Sequence, residues 1–152
     1  MKKRMLVMRQ NKILSAAIAL CITAFFTMGS APTASAGSST LVPVTITAVY
    51  DFSTFPNVAG TFTTSGALTI SGTSTMNVGL LAGGTVAHCV VTLTASDNSG
   101  TIVIDQECQF ASSPPKGRWE IVSGTGAYAN LFGNGSLTMP PNTEAMTGYI
   151  HE

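Results

Sequence analysis

Positive charge is nearly absent from this chain beyond its first twelve residues. Lys2, Lys3, Arg4, Arg9 and Lys12 crowd the start, and only Lys116 and Arg118 follow, against seven acids that all lie at or after Asp51. If the start is removed, the remainder carries a formal charge of −5, a surface that repels phosphates and anionic lipid. Nucleic-acid binding, which needs clustered Lys and Arg to displace counterions, is excluded on this count. Histidine is as scarce: His88 and His151 are the only two. With no Cys-x-x-Cys or His-x-x-x-His spacing, neither a zinc site nor another metal centre is expected. No Gly-x-Ser-x-Gly elbow occurs to activate a serine, and no cofactor is implied.

Long apolar runs are also lacking, with one exception. The basic start is followed by an uncharged, mostly apolar segment over residues 13–28, then by Gly29-Ser30-Ala31-Pro32 and Ala34-Ser35-Ala36. This order of basic, apolar and small residues is that of an export signal, with cleavage expected after Ala36. The segment is shorter than the roughly 20 residues needed to span a bilayer. Leu20 before Cys21 is unlike a lipidation site. Residues 1–36 are therefore expected to be a cleavable signal of the Sec type, and residues 37–152 a secreted domain, extracellular or periplasmic, with no membrane attachment after cleavage.

The mature part is short enough for one modest core. It retains two cysteines, Cys89 and Cys108, and an even count in an exported chain reads as a disulfide. Its composition is that of β-structure, rich in Thr, Ser, Val, Ile and Gly. In residues 41–52 the even positions Val42, Val44, Ile46, Ala48, Tyr50 and Phe52 are apolar, the alternation of a half-buried strand. Further strands are expected at 58–63, 67–74, 86–96, 101–110, 118–123, 132–139 and 143–150, punctuated by Ser65-Gly66, Gly83-Gly84, Pro114-Pro115 and Pro140-Pro141. Eight short strands without crossover helices imply an all-β domain, a single antiparallel eight-stranded β-barrel or, alternatively, a β-sandwich.

The tetrad Asp97-Asn98-Ser99-Gly100 marks one hairpin turn. Folding the chain midway through it sets Cys89 opposite Cys108, Val91 opposite Gln106, Leu93 opposite Ile104 and Ala95 opposite Ile102 on an apolar face. The opposite face then holds His88, Asp105 and Glu107. A four-residue loop, Asp97 to Gly100, makes the cysteine pair the closer, non-hydrogen-bonded kind. The bridge would close a loop of about 20 residues, worth about 3 kcal/mol on chain-entropy grounds.

The most distinctive stretch runs Trp119-Glu120-Ile121-Val122-Ser123-Gly124-Thr125-Gly126-Ala127-Tyr128, then Leu131-Phe132-Gly133-Asn134-Gly135. Gly124 and Gly126 suit a sharp turn, residues 127–131 one helical turn, and Gly133 with Gly135 a closely approached strand. Tyr128 and Leu131 are placed to plug a barrel end. A phosphate-binding reading fails, because no long helix and no Lys-Ser/Thr pair follows. The stretch resembles the glycine signature of the allene oxide cyclase and dirigent superfamily. That resemblance implies an eight-stranded antiparallel barrel; the plant enzymes' catalytic residues have no matching positions here, so it carries fold and not activity.

His88, Asp105 and Glu107 form the best catalytic candidate set if their face lines a cavity; if it meets solvent, the reading the residue types favour, they are an ordinary acidic exterior. Three functions stay open: a barrel holding a small apolar ligand, an isomerase or cyclase acting on an apolar substrate, and a solid scaffold. The last would oligomerise through an outer strand face bearing Val49, Val90 and Val103. The scarcity of titratable groups weighs against an enzyme.

Overall fold

The computed structural model describes residues 40–152; the expected export signal and the expected cleavage site after Ala36 lie outside the described residues. Eight strands follow one another: β1 (Val42–Asp51), β2 (Asn57–Gly66), β3 (Ser71–Leu81), β4 (Val86–Ala95), β5 (Thr101–Gln109), β6 (Lys116–Gly124), β7 (Phe132–Thr138) and β8 (Thr143–His151). Each pairs antiparallel with the next, and β8 returns to β1, so the sheet closes into a barrel. Only three single-turn 3-10 segments interrupt this order, Phe52–Thr54, Ala82–Gly84 and Gly126–Tyr128. The chain is all-β and the eight-stranded barrel, not the sandwich, is its architecture.

Closure follows from alternation. The inward positions of β1 are Val44, Ile46, Ala48 and Tyr50, and those of β4 and β5 are Ala87, Cys89, Val91, Leu93, Ala95, Ile102, Ile104, Gln106 and Cys108, all buried. Trp119 on β6 fills the space beside β7 and β8, where Gly135 and Gly148 are paired face to face. Its indole N–H donates to the Ser136 and Thr147 carbonyls at 3.1 and 3.3 Å. A methyl group on Gly148 would come within 2.8 Å of the indole and collide with the Asn134 carbonyl. The small residues after Leu131 thus leave room for the one tryptophan. Between β5 and β6 the register shifts at Val103/Ile104, where Ser123 opposes Val103 and Ile121 opposes Ile104. This is a bulge that leaves Val122 unpaired and exposed.

The two barrel ends differ. At one end Tyr128 and Leu131 are buried, and the Tyr128 hydroxyl shares a 2.6 Å hydrogen bond with Ser99 Oγ. Gly126 takes φ +60° and lies against the Ser99 carbonyl, where a Cβ would not fit. Gly124 is pressed in the same way against the Tyr128 carbonyl. The loops β1–β2, β3–β4, β5–β6 and β7–β8 gather at the other end.

Two expectations are corrected. The third strand is Ser71–Leu81, not residues 67–74: β2 continues to Gly66, and the Thr64 hydroxyl accepts from the Ile70 N–H and donates to the Leu68 carbonyl, making 67–70 a connection. The β4–β5 register is displaced by two residues, so Cys89 faces Gln106 and Cys108 faces Ala87. The Ala95 N–H donates to the Gly100 carbonyl, and the four-residue loop is therefore 96–99 rather than 97–100. The Asp97 carboxylate caps the Ser99 N–H at 2.9 Å and Asn98 takes φ +63°, which centres the turn one residue early. Gly100 is drawn into the ladder instead, pressed against the Thr125 carbonyl. A shift of two keeps every side chain on its expected face, but it makes the two thiols diagonal neighbours. Both are free and buried in the structure.

Candidate binding cavity

The loops β1–β2, β5–β6 and β7–β8, with the end of β3, line an apolar cavity of about 240 Å³. Phe52 and Phe55 come from the β1–β2 loop, Met76, Val78 and Leu80 from β3, Phe110 from the β5–β6 loop, and Met139, Pro140, Pro141 and Asn142 from the β7–β8 loop. Cys89 reaches the cavity from β4. The local sequence explains the mouth: Phe-Ser-Thr-Phe-Pro, Phe-Ala-Ser-Ser-Pro-Pro and Met-Pro-Pro-Asn give turns whose prolines cannot join a ladder and whose apolar side chains have no further layer to pack on.

Next to the cavity the barrel interior is polar. Glu144 is the first inward residue of β8, with no exposed surface at all, opposite Ala48 on β1. The Tyr50 hydroxyl donates to Glu144 Oε2 at 3.2 Å. Tyr50 also packs edge-on against Phe52 of the cavity wall, ring centroids 6.1 Å apart. Gln106 lies beside Glu144 and Ser74 beside the Tyr50 hydroxyl, while the Gln106 amide nitrogen is 3.2 Å from Met146 Sδ. Even so, Glu144 Oε1, Gln106 Oε1 and Ser74 Oγ make no hydrogen bond of good geometry. Buried polar atoms are normally satisfied, so three orphaned ones within one cluster mark the interior as something other than packing.

Burial governs the acid–base character of this cluster. Loss of water pushes Glu144 up to about 7, although the Gln106 and Tyr50 hydrogen bonds pull the other way. The Tyr50 phenol is raised far above its ordinary range by burial and then by the neighbouring Glu144 charge. The two thiols perturb each other: Cys108 is pushed up by its neighbour Cys89 and by burial, and Cys89 is lowered because Cys108 stabilises its thiolate. Glu144 can therefore hold or release a proton near neutrality in an interior shielded from water, with Tyr50 as donor to its carboxylate.

His88, Asp105 and Glu107 are brought together too, but on the outer wall. His88 Nε2 is 2.6 Å from Asp105 Oδ1, His88 faces Glu107 across the β4–β5 ladder, and Arg118 Nη2 meets Glu107 Oε2 at 2.9 Å. With Glu120 and Asn134 they border a groove of about 600 Å³. Exposed pairs of this kind contribute about 0–1 kcal/mol each, and none of these side chains reaches the interior. Among the described residues no group of three or more His, Cys, Asp or Glu is arranged to hold a metal, and no helix is long and apolar enough to cross a membrane.

Glu144, Tyr50, Gln106 and Ser74 escaped the reading of the sequence. The signal was present: in 143–150 the alternation that puts Met146 and Ile150 inside also puts Glu144 inside. An acid two residues after Pro140-Pro141-Asn142 passes for a solvated strand end, and parity is least persuasive there.

Fold and interior together define a closed up-and-down β-barrel with an apolar cup over a buried acid–phenol pair. A model of the family described as "Protein of unknown function (DUF3224)" matches residues 41–147, and the chain belongs to that family. No curated protein and no solved structure matches it.

Proposed function

We propose that the mature chain is a secreted barrel that binds a small apolar molecule in the cup lined by its β1–β2, β5–β6 and β7–β8 loops and by β3. The cavity itself is the observation that carries this reading. At about 240 Å³ it is below the roughly 300–1,000 Å³ of drug-sized sites, so it suits a small ligand or one end of a longer one. Its walls are almost wholly apolar, with Asn142 the one polar side chain among the lining residues. The test is titration with the neutral fluorophore N-phenyl-1-naphthylamine. Saturable one-to-one enhancement is expected, and Val78→Trp, which fills the cup, should abolish it. A folded wild-type protein that shows no saturable enhancement refutes the proposal.

A second reading, an isomerase or cyclase like those of the allene oxide cyclase and dirigent superfamily, is favoured by one specific observation. Such chemistry needs a titratable group close to an apolar chamber, and Glu144, raised to about 7, is bonded to Tyr50, which packs on Phe52 of the cavity wall. If the second reading holds, Glu144→Gln binds the ligand as the wild type does and fails to convert it; equal turnover by both proteins rules it out.

Export also bears on the thiols. We take residues 1–36 as the signal, and in an oxidising compartment Cys89 and Cys108 are expected to close to a disulfide. Diagonal strand partners sit about 7–8 Å apart, so the two strands must draw together slightly. Thiol counting on denatured protein recovered from the exported fraction checks this: zero free thiols supports the bridge and two excludes it.

A further inference from the structure

We infer that the cup end of the barrel docks on a zwitterionic lipid surface, and that the ligand enters the cup from that surface. This rests on the reading of the cup as a ligand site and supplies its source. Phe55, Leu80, Leu81 and Phe110 are all large, apolar and exposed, and all stand on or beside loops at this one end. The loop residues 52–56, 82–85, 110–115 and 139–142 contain no charged side chain. At the opposite end Tyr128 and Leu131 are buried and Asp97 sits in the loop, and the exposed Leu41, Phe132 and Tyr149 there stand on no hairpin loop. Loops at protein surfaces are ordinarily polar, and a cluster of exposed apolar residues marks a contact surface.

Three features identify the occupant as lipid rather than protein. First, the apolar side chains are carried on separate hairpins ringing a mouth. Such a ring can sink into the headgroup boundary, whereas a flat partner would seal the cavity. Second, the apolar rim is continuous with the apolar cavity wall through Phe55, Leu80 and Phe110, so a hydrophobic molecule could pass between them without crossing water. Third, the charge is set back: Asp51 and Lys116 lie at the strand ends behind the tips, and the mature chain's formal charge of −5 repels an anionic surface. The last point selects zwitterionic lipid and narrows the expectation from sequence that the mature chain has no membrane partner.

The experiment is flotation of the mature chain with phosphatidylcholine vesicles, in parallel with the fluorophore titration without lipid. Wild type is expected to float with the vesicles, and replacing a third of the lipid by phosphatidylglycerol should weaken binding in a salt-reversible way. Leu81 is exposed and does not line the cup. Leu81→Asp should lower vesicle partitioning at least tenfold while leaving fluorophore affinity within twofold and Trp119 emission unchanged. A wild type that binds fluorophore yet ignores vesicles overturns the docking and leaves the cup as a ligand site. Failure to bind either overturns both. A concentration-dependent dimer in sedimentation that Leu81→Asp dissolves assigns the rim to a second copy and likewise overturns the proposal.

Discussion

We predict that stability falls as pH rises from about 4.5 to about 7, and that Glu144 is the cause. Its carboxyl, free of water contact, is raised from 4.5 to about 7 in the folded barrel. The sign follows from proton counts: between these values the unfolded chain has lost the proton and the folded one still holds it, so raising the pH favours unfolding. At about 1.4 kcal/mol per pH unit, the gap corresponds to about 3 kcal/mol of stability, fully present below pH 4.5 and gone above pH 7. The groups around Glu144 are Tyr50 from β1, Gln106 and Cys108 from β5 and Cys89 from β4; none of them can carry a positive charge to offset the carboxylate. Asp51 and Asp97, both lowered by hydrogen bonds from Ser53 and Ser99, act oppositely and only in more acidic solution. The assay is urea unfolding of wild type and Glu144→Gln at pH 5 and pH 8, followed by Trp119 fluorescence. The variant should resemble wild type at pH 5 and exceed it by about 3 kcal/mol at pH 8, equivalent to a melting-temperature difference on the order of 10 °C. Parallel pH profiles for the two proteins would refute the assignment of a neutral, buried Glu144.

Three further outcomes are expected. Gly148→Ala, whose methyl group would strike the Asn134 carbonyl and the Trp119 ring, should lower unfolding stability by about 1–3 kcal/mol and shift Trp119 emission; an unchanged denaturation midpoint would contradict the packing described. Trp119→Phe leaves the Ser136 and Thr147 carbonyls without their indole donor and should cost about 1–3 kcal/mol, read from the urea midpoint. Arg118→Ala removes only the exposed pair with Glu107 and should change stability by less than about 1 kcal/mol, with any effect vanishing in high salt.

How far the barrel could be read in advance depended on how local each signal was. Alternation placed β1, β4, β5 and β8 within a residue or two of their limits, because a period of two survives any error in pairing. The third strand was misplaced since Leu68 and Ile70 imitate that period while the Thr64 side chain holds their backbone in a connection. The hairpin register went wrong by two because Gly100, read as a turn residue, is required in the ladder by the approach of Thr125, a contact from a segment 25 residues away. The acid in the interior was hidden for a related reason: whether Glu144 faces water or Tyr50 depends on closure between the first and last strands, and no neighbouring residue announces it.

That closure has a consequence of its own. Seven of the eight ladders join consecutive strands and can zip up through short hairpins, whereas the β1–β8 seam joins the two extremes of the domain and bears the main loop-closure entropy. Glu144 lies on that seam opposite Ala48. A proton leaving its carboxyl therefore loads the one junction that turns a curled sheet into a tube, and in alkaline solution the wall should part there before anywhere else.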